Sequence, residues 1–84
     1  MLLVLYQRDD CHLCDQALDL LARAGAPEFD SVFIDDDADL EARYGHRVPV
    51  LRDVASEREI EWPFDAAALA LFIDANRIDA NRSR

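Results

Sequence analysis

Residues 2–24 read LLVLYQRDDCHLCDQALDLLARA, and the change of period inside this stretch decides the fold. Leu2, Leu3, Val4, Leu5 and Tyr6 form a continuous apolar run of strand length, the pattern of a strand covered on both faces and hence central in a sheet. From Cys11 the period becomes helical. Leu13, Ala17, Leu20, Leu21 and Ala24 fall on one face of a helix, while Asp15, Asp19 and Arg23 share the polar face, with Asp19 and Arg23 as a favourable i,i+4 pair. Gly25 suits the left-handed position after a helix and Pro27 forbids continuation, so this helix ends near Ala24.

The two cysteines lie at the junction of these elements, with Cys11 at the expected N-cap and Cys14 one turn inside. Unpaired N–H groups and the positive end of the helix dipole stabilise a thiolate, and the thiolate is the form that attacks a disulfide. Cys11 is therefore the candidate nucleophile and Cys14 the deeper, resolving thiol. Asp9, Asp10 and Asp15 surround the pair, and like-sign charge acts in the opposite direction on a thiol. The alternatives for a C-x-x-C pair are metal binding and two small structural cysteines that meet at a helix start by chance. A structural zinc site needs four ligands, and beyond this pair the chain offers only His12 and His46. His12, between the cysteines, is a candidate for tuning the Cys11 thiolate because it is partly cationic near neutrality.

Outward from this stretch, residues 31–34 read as a second strand. Leu40, Arg43 and Tyr44 suggest a short helix capped by Asp37, with Asp39 and Glu41 in its first turn. Asp35, Asp37 and Asp39 imitate the start of a calcium loop, but Leu40 stands where that loop needs Gly and His46 where it needs Glu. Residues 48–54 and 57–62 read as two strands of a hairpin turning at Ala55 and Ser56. Asp65 caps a last helix whose Leu69, Phe72 and Ile73 share a face. Polar residues 76–84 read as a flexible tail after a single domain of residues 1–75. The order is β-α-β-α-β-β-α. A right-handed crossover makes the first two strands parallel, and the hairpin adds an antiparallel edge, giving a four-stranded mixed sheet with helices on both faces. That α/β order is the thioredoxin-like fold.

The chain has 84 residues, of which 51% are apolar, enough for one small folded domain and too few for a deep substrate cavity. Its 9 basic residues, all Arg, against 18 acids give a net charge of −9, the wrong sign for nucleic acid or an anionic membrane. The basic end of the chain makes the body more acidic still: residues 77–84 carry three Arg and one Asp. Residues 66–73, the longest apolar run, fall far short of the roughly 20 needed to span a bilayer, and no export signal is visible, so the expected compartment is the cytoplasm.

The pattern resembles a known family at specific residues: Leu5-Tyr6, Arg8 three positions before Cys11, Cys11-His12-Leu13-Cys14, and Val48-Pro49 before a strand. On these the chain, to about Ile73, is similar to the glutaredoxin branch of the thioredoxin superfamily, and most to small bacterial glutaredoxin-like proteins. The resemblance implies a monomeric thiol-disulfide oxidoreductase with no bound cofactor. Its partner would be a disulfide-containing protein or a glutathione mixed disulfide, with glutathione as a co-substrate. It implies Cys11 as nucleophile, Cys14 as resolving thiol and Pro49 in the cis form beside them. Arg8 matches a basic residue near the thiolate and the glutathione carboxylate, Val48 the residue whose backbone pairs with substrate, and Asp65 the helix cap that meets the glutamyl amine. The chain departs from the family in two places. Arg47 replaces the usual Thr before Val-Pro, and Trp62-Pro63-Phe64 replaces a Gly-Gly turn, where Pro63 has no N–H to offer a carboxylate. Arg47 is then a second candidate cation at the site. Against the oxidoreductase stands a non-enzymatic binding module on the same fold, carrying a metal or iron-sulfur centre through Cys11 and Cys14.

Overall fold

The computed structural model describes the backbone of residues 2–82 and the side chains of residues 2–74. Seven elements follow one another: β1 (Leu3–Gln7), α1 (His12–Arg23), β2 (Phe29–Phe33), α2 (Ala38–Tyr44), β3 (Val50–Asp53), β4 (Arg58–Glu61) and α3 (Ala66–Arg82). The sheet order is β2-β1-β3-β4, with β1 parallel to β2 and antiparallel to β3, and β3 antiparallel to β4. This is the thioredoxin-like arrangement, with the apolar run of β1 in the interior of the sheet.

Alternation along β1 divides the core in two. Leu3 and Leu5 face α1 and α3 and pack with Ala17, Leu21, Leu51, Phe64, Leu69 and Ile73. Tyr6, on the opposite face, packs with Ile34, Leu40, Tyr44, Val48 and Val50 under α2. Each fully buried Leu contributes roughly 1.5–3 kcal/mol relative to exposure, so the larger cluster dominates the packing energy.

The expected caps are present. Cys11 Sγ accepts from the Cys14 N–H at 3.1 Å, Asp37 Oδ1 from Leu40 at 3.1 Å, and Asp65 Oδ1 from Ala68 at 2.8 Å. Gly25, past the end of α1, sits at φ +64°, the left-handed conformation that glycine tolerates best. The Asp19–Arg23 pair closes at 3.0 Å.

Several expectations are corrected. The buried stripe of α1 is Cys14, Ala17 and Leu21, while Leu13 is 45% exposed, because the stripe that meets β1 lies one position round from the one richest in Leu. β2 begins at Phe29 rather than 31, since pairing with Leu3 sets its register, and Ile34 falls just beyond the strand yet is fully buried. β3 and β4 are shorter than the 48–54 and 57–62 runs, as the Val48-Pro49 peptide stands outside the ladder and residues 54–57 turn. Helix α3 runs to Arg82, so its backbone is helical beyond residue 75. Residues 83–84 and all side chains from residue 75 onward lie outside the described residues, and so does the reading of 76–84 as a tail. Among the described residues, no helix is long and apolar enough to cross a membrane.

Candidate functional site: the Cys11–Cys14 pair

β1 ends at Gln7 and the chain turns through Asp9 and Asp10 into α1. Asp10 has φ +53°, a left-handed conformation that Asp tolerates better than most side chains. This turn delivers Cys11 to the helix N-cap, half-buried, while Cys14 is 1% exposed against the core. The two sulfurs are joined as a disulfide, with the α-carbons 5.1 Å apart. One turn of helix sets that separation, which lies within the range a disulfide spans without distorting backbone. The pair thus presents one reachable sulfur and one sheltered sulfur, held at a helix N-terminus.

The Val48-Pro49 peptide is cis, as expected, and so is Trp62-Pro63, for which no local signal exists along the chain. Pro49 is fully buried; the Val48 N–H donates to the Tyr44 carbonyl at 3.1 Å. His12 is exposed at the first turn of α1. Asp65 lies in a groove with Gln16, Asp19, Arg23, Trp62 and Phe64, whereas Cys11 opens onto a different groove with Arg8, Asp9, Asp10 and Asp15. The structure therefore gathers Arg8 and the acidic turn around Cys11 and sets Asp65 along another flank of α1. Trp62 and Phe64 meet edge to face at 5.1 Å, with Phe64 in the core.

Both candidate cations are engaged within the fold. Arg8 donates from both terminal nitrogens to the Glu41 carboxylate and from Nη2 to the Gly45 carbonyl at 3.0 Å. The hydrogen bond to Glu41 holds its guanidinium above the usual Arg range. A Cβ at Gly45 would collide with the Glu41 carbonyl and lie 2.8 Å from Glu41 Oε1, so glycine is needed here for close approach. Arg47 donates to Glu61 at 2.6 Å and to Glu59 at 2.8 Å.

Glu59 is the centre of a second cluster that sequence reasoning missed. Its carboxylate also accepts from Tyr44 at 2.6 Å and from Arg52 at 2.8 Å, and Arg43 lies 3.9 Å away. Burial pushes the Glu59 carboxyl up, but hydrogen bonds from Tyr44, Arg47 and Arg52 outweigh it and bring it down to about 2. Burial, then the hydrogen bond to Glu59, pushes the Tyr44 phenol up to about 12. Tyr44 stacks on Tyr6 at 4.2 Å between ring centroids, and Arg43 and Arg47 each lie 5.3 Å from its ring centre. The one sequence signal for this cluster was Glu59 facing Arg52 across the hairpin, legible only once the register is fixed. Among the described residues, no three His, Cys, Asp or Glu side chains are arranged to hold a metal ion.

Residues 2–74 match the model of the glutaredoxin-like domain (DUF836). The chain belongs to the glutaredoxin-like domain family. This glutaredoxin-like chain is also similar to solved structures. The X-ray structure of the structural-genomics target protein XcR50 from X. campestris is 66% identical, with 87% of this chain and 96% of that one covered and a TM-score of 0.83. Protein Ne2328 from Nitrosomonas europaea, solved by NMR, is 31% identical over 84% of this chain and 88% of that one, with a TM-score of 0.66. Among curated proteins, none matches the glutaredoxin-like chain.

Proposed function

We propose that this protein is a thiol-disulfide oxidoreductase that reduces protein or mixed disulfides as a monomer in the cytoplasm. The observation that carries the reading is the Cys11–Cys14 pair, joined across one turn at a helix N-terminus with Cys11 reachable and Cys14 sheltered. In the reduced protein the N–H groups of the first turn favour the Cys11 thiolate. That thiolate attacks one sulfur of the substrate disulfide, forms a Cys11–substrate mixed disulfide and expels the other half as a thiolate, which takes a proton. Cys14, as thiolate, then attacks Cys11 Sγ, expels the second substrate thiol and closes the Cys11–Cys14 disulfide. Two electrons have passed from the protein to the substrate. An external thiol or dithiol returns them by the same chemistry in reverse.

The test is turnover with a small model disulfide. Cys11→Ser is expected to abolish it, and undiminished turnover in that variant would overturn the assignment. Cys14→Ser is expected to accumulate the Cys11 mixed disulfide, visible by mass as a covalent adduct. Release of product at the normal rate would show that Cys14 does not resolve it.

A further inference from the structure

The groove onto which Cys11 opens has a volume of about 450 Å³ and runs between the β1–α1 turn, α1 and the β2 edge. Its lining holds three carboxylates, Asp9, Asp10 and Asp15, and a single guanidinium, Arg8. All three acids are exposed. A fourth carboxylate reaches this rim, because Asp35 Oδ2 accepts from the Asp9 N–H at 2.9 Å. Arg8 does not offset them, since its terminal nitrogens are bound to Glu41 and to the Gly45 carbonyl. Arg47, the other candidate cation, is bound to Glu59 and Glu61. The lining also carries an apolar surface in Phe33, 51% exposed. A reactive sulfur therefore opens onto an acidic groove that also holds an exposed aromatic ring, and its carboxylates are not gathered for a metal ion.

We infer that Cys11 selects disulfides in basic peptide segments, with an Arg or Lys beside the substrate cysteine seated among Asp9, Asp10 and Asp15 and an apolar neighbour against Phe33. This rests on the oxidoreductase reading above and deepens it. Glutathione disulfide, which carries net negative charge, is repelled by the same rim. Unneutralised charges beside a reactive atom act mainly on the rate of productive encounter, by roughly 10-fold or more at low salt, and their effect is screened as salt rises.

The test uses the full chain, pre-reduced with a dithiol and freed of it, in single-turnover oxidation by four disulfides. These are an Arg-flanked cysteine peptide disulfide, its Glu-flanked counterpart, glutathione disulfide and neutral bis(2-hydroxyethyl) disulfide. The Arg peptide is expected to oxidise the protein at least about 10-fold faster than the Glu peptide, beyond the ratio that dithiothreitol shows with the same pair. That excess is expected to collapse at about 0.5 M salt, where screening acts within a few Å. It is also expected to shrink in Asp10→Asn/Asp15→Asn, but not in Asp19→Asn/Asp74→Asn, which removes the same charge outside this groove. A ratio no larger than that of dithiothreitol, or glutathione disulfide as the fastest substrate, would overturn the inference while leaving the oxidoreductase reading intact. Failure of even the neutral disulfide to oxidise the pair would remove both.

Discussion

Two acidic regions of the fold, one centred on β4 and α2 and the other on the β1–α1 turn, handle their charge in opposite ways. Under α2, Glu59 is largely buried and receives hydrogen bonds from Tyr44, Arg47 and Arg52, while Glu61 and Glu41 each hold an Arg. At the N-terminus of α1, Asp9, Asp10 and Asp15 stand exposed around Cys11 with the neighbouring Arg8 bound elsewhere. A net charge of −9 is thus not uniform over the fold. The first region uses carboxylates to fix the α2 face and the loop leading to Pro49. The second leaves them to act on whatever approaches the sulfur, at little benefit to stability.

The contrast can be broken at its strongest point first. Glu59→Gln is expected to cost about 2–3 kcal/mol at neutral pH, read by urea unfolding, because it removes the charge that three donors share in a partly desolvated place. The pH dependence has a definite sign. The Glu59 carboxyl is held at about 2 in the fold against an ordinary 4.5, so its ionised form stabilises the protein above about pH 4.5, and that contribution drains away as pH falls toward 2. The Glu59→Gln protein should lack that step. Equal acid sensitivity in both proteins would show that the cluster is not a stabilising one.

A smaller effect is expected at the boundary between the regions. Gly45→Ala forces a methyl group against the Glu41 carbonyl and the carboxylate that holds Arg8, at a cost of about 1–2 kcal/mol in thermal or urea unfolding. Unchanged stability would mean that the α2 terminus yields easily and that Arg8 is not tightly held. The smallest effect belongs to the unpaired region. Asp10→Asn keeps a side chain suited to φ +53° and removes an exposed charge, so stability should move by less than about 0.5 kcal/mol. A loss as large as that of Glu59→Gln would erase the contrast.

Much of the fold was legible in sequence because its signals are local. The switch from the apolar run of residues 2–6 to a helical period at Cys11, the caps at Asp37 and Asp65, and Gly25 before Pro27 each report on a few neighbouring residues, and the element order follows. Boundaries were less legible where a partner sets them. The start of β2 follows its register against Leu3, and α1 buries Cys14, Ala17 and Leu21 because that stripe meets the sheet. At the site, the cysteine pair and the acids were local and visible. The engagement of Arg8 was not, since Glu41 and Gly45 lie 33 and 37 positions away.

By itself, then, the sequence determined the thioredoxin-like order of elements, the placing of Cys11 and Cys14 at a helix start, and the acidic turn before them. Helix period, capping and turn chemistry act over a few residues and leave a local trace. Only the tertiary structure decided which cations remain to balance those acids. Ion pairing between distant segments depends on strand register and helix docking, so Arg8 and Arg47, each a plausible partner for an anionic substrate when read along the chain, are bound to Glu41, Glu59 and Glu61 once it folds.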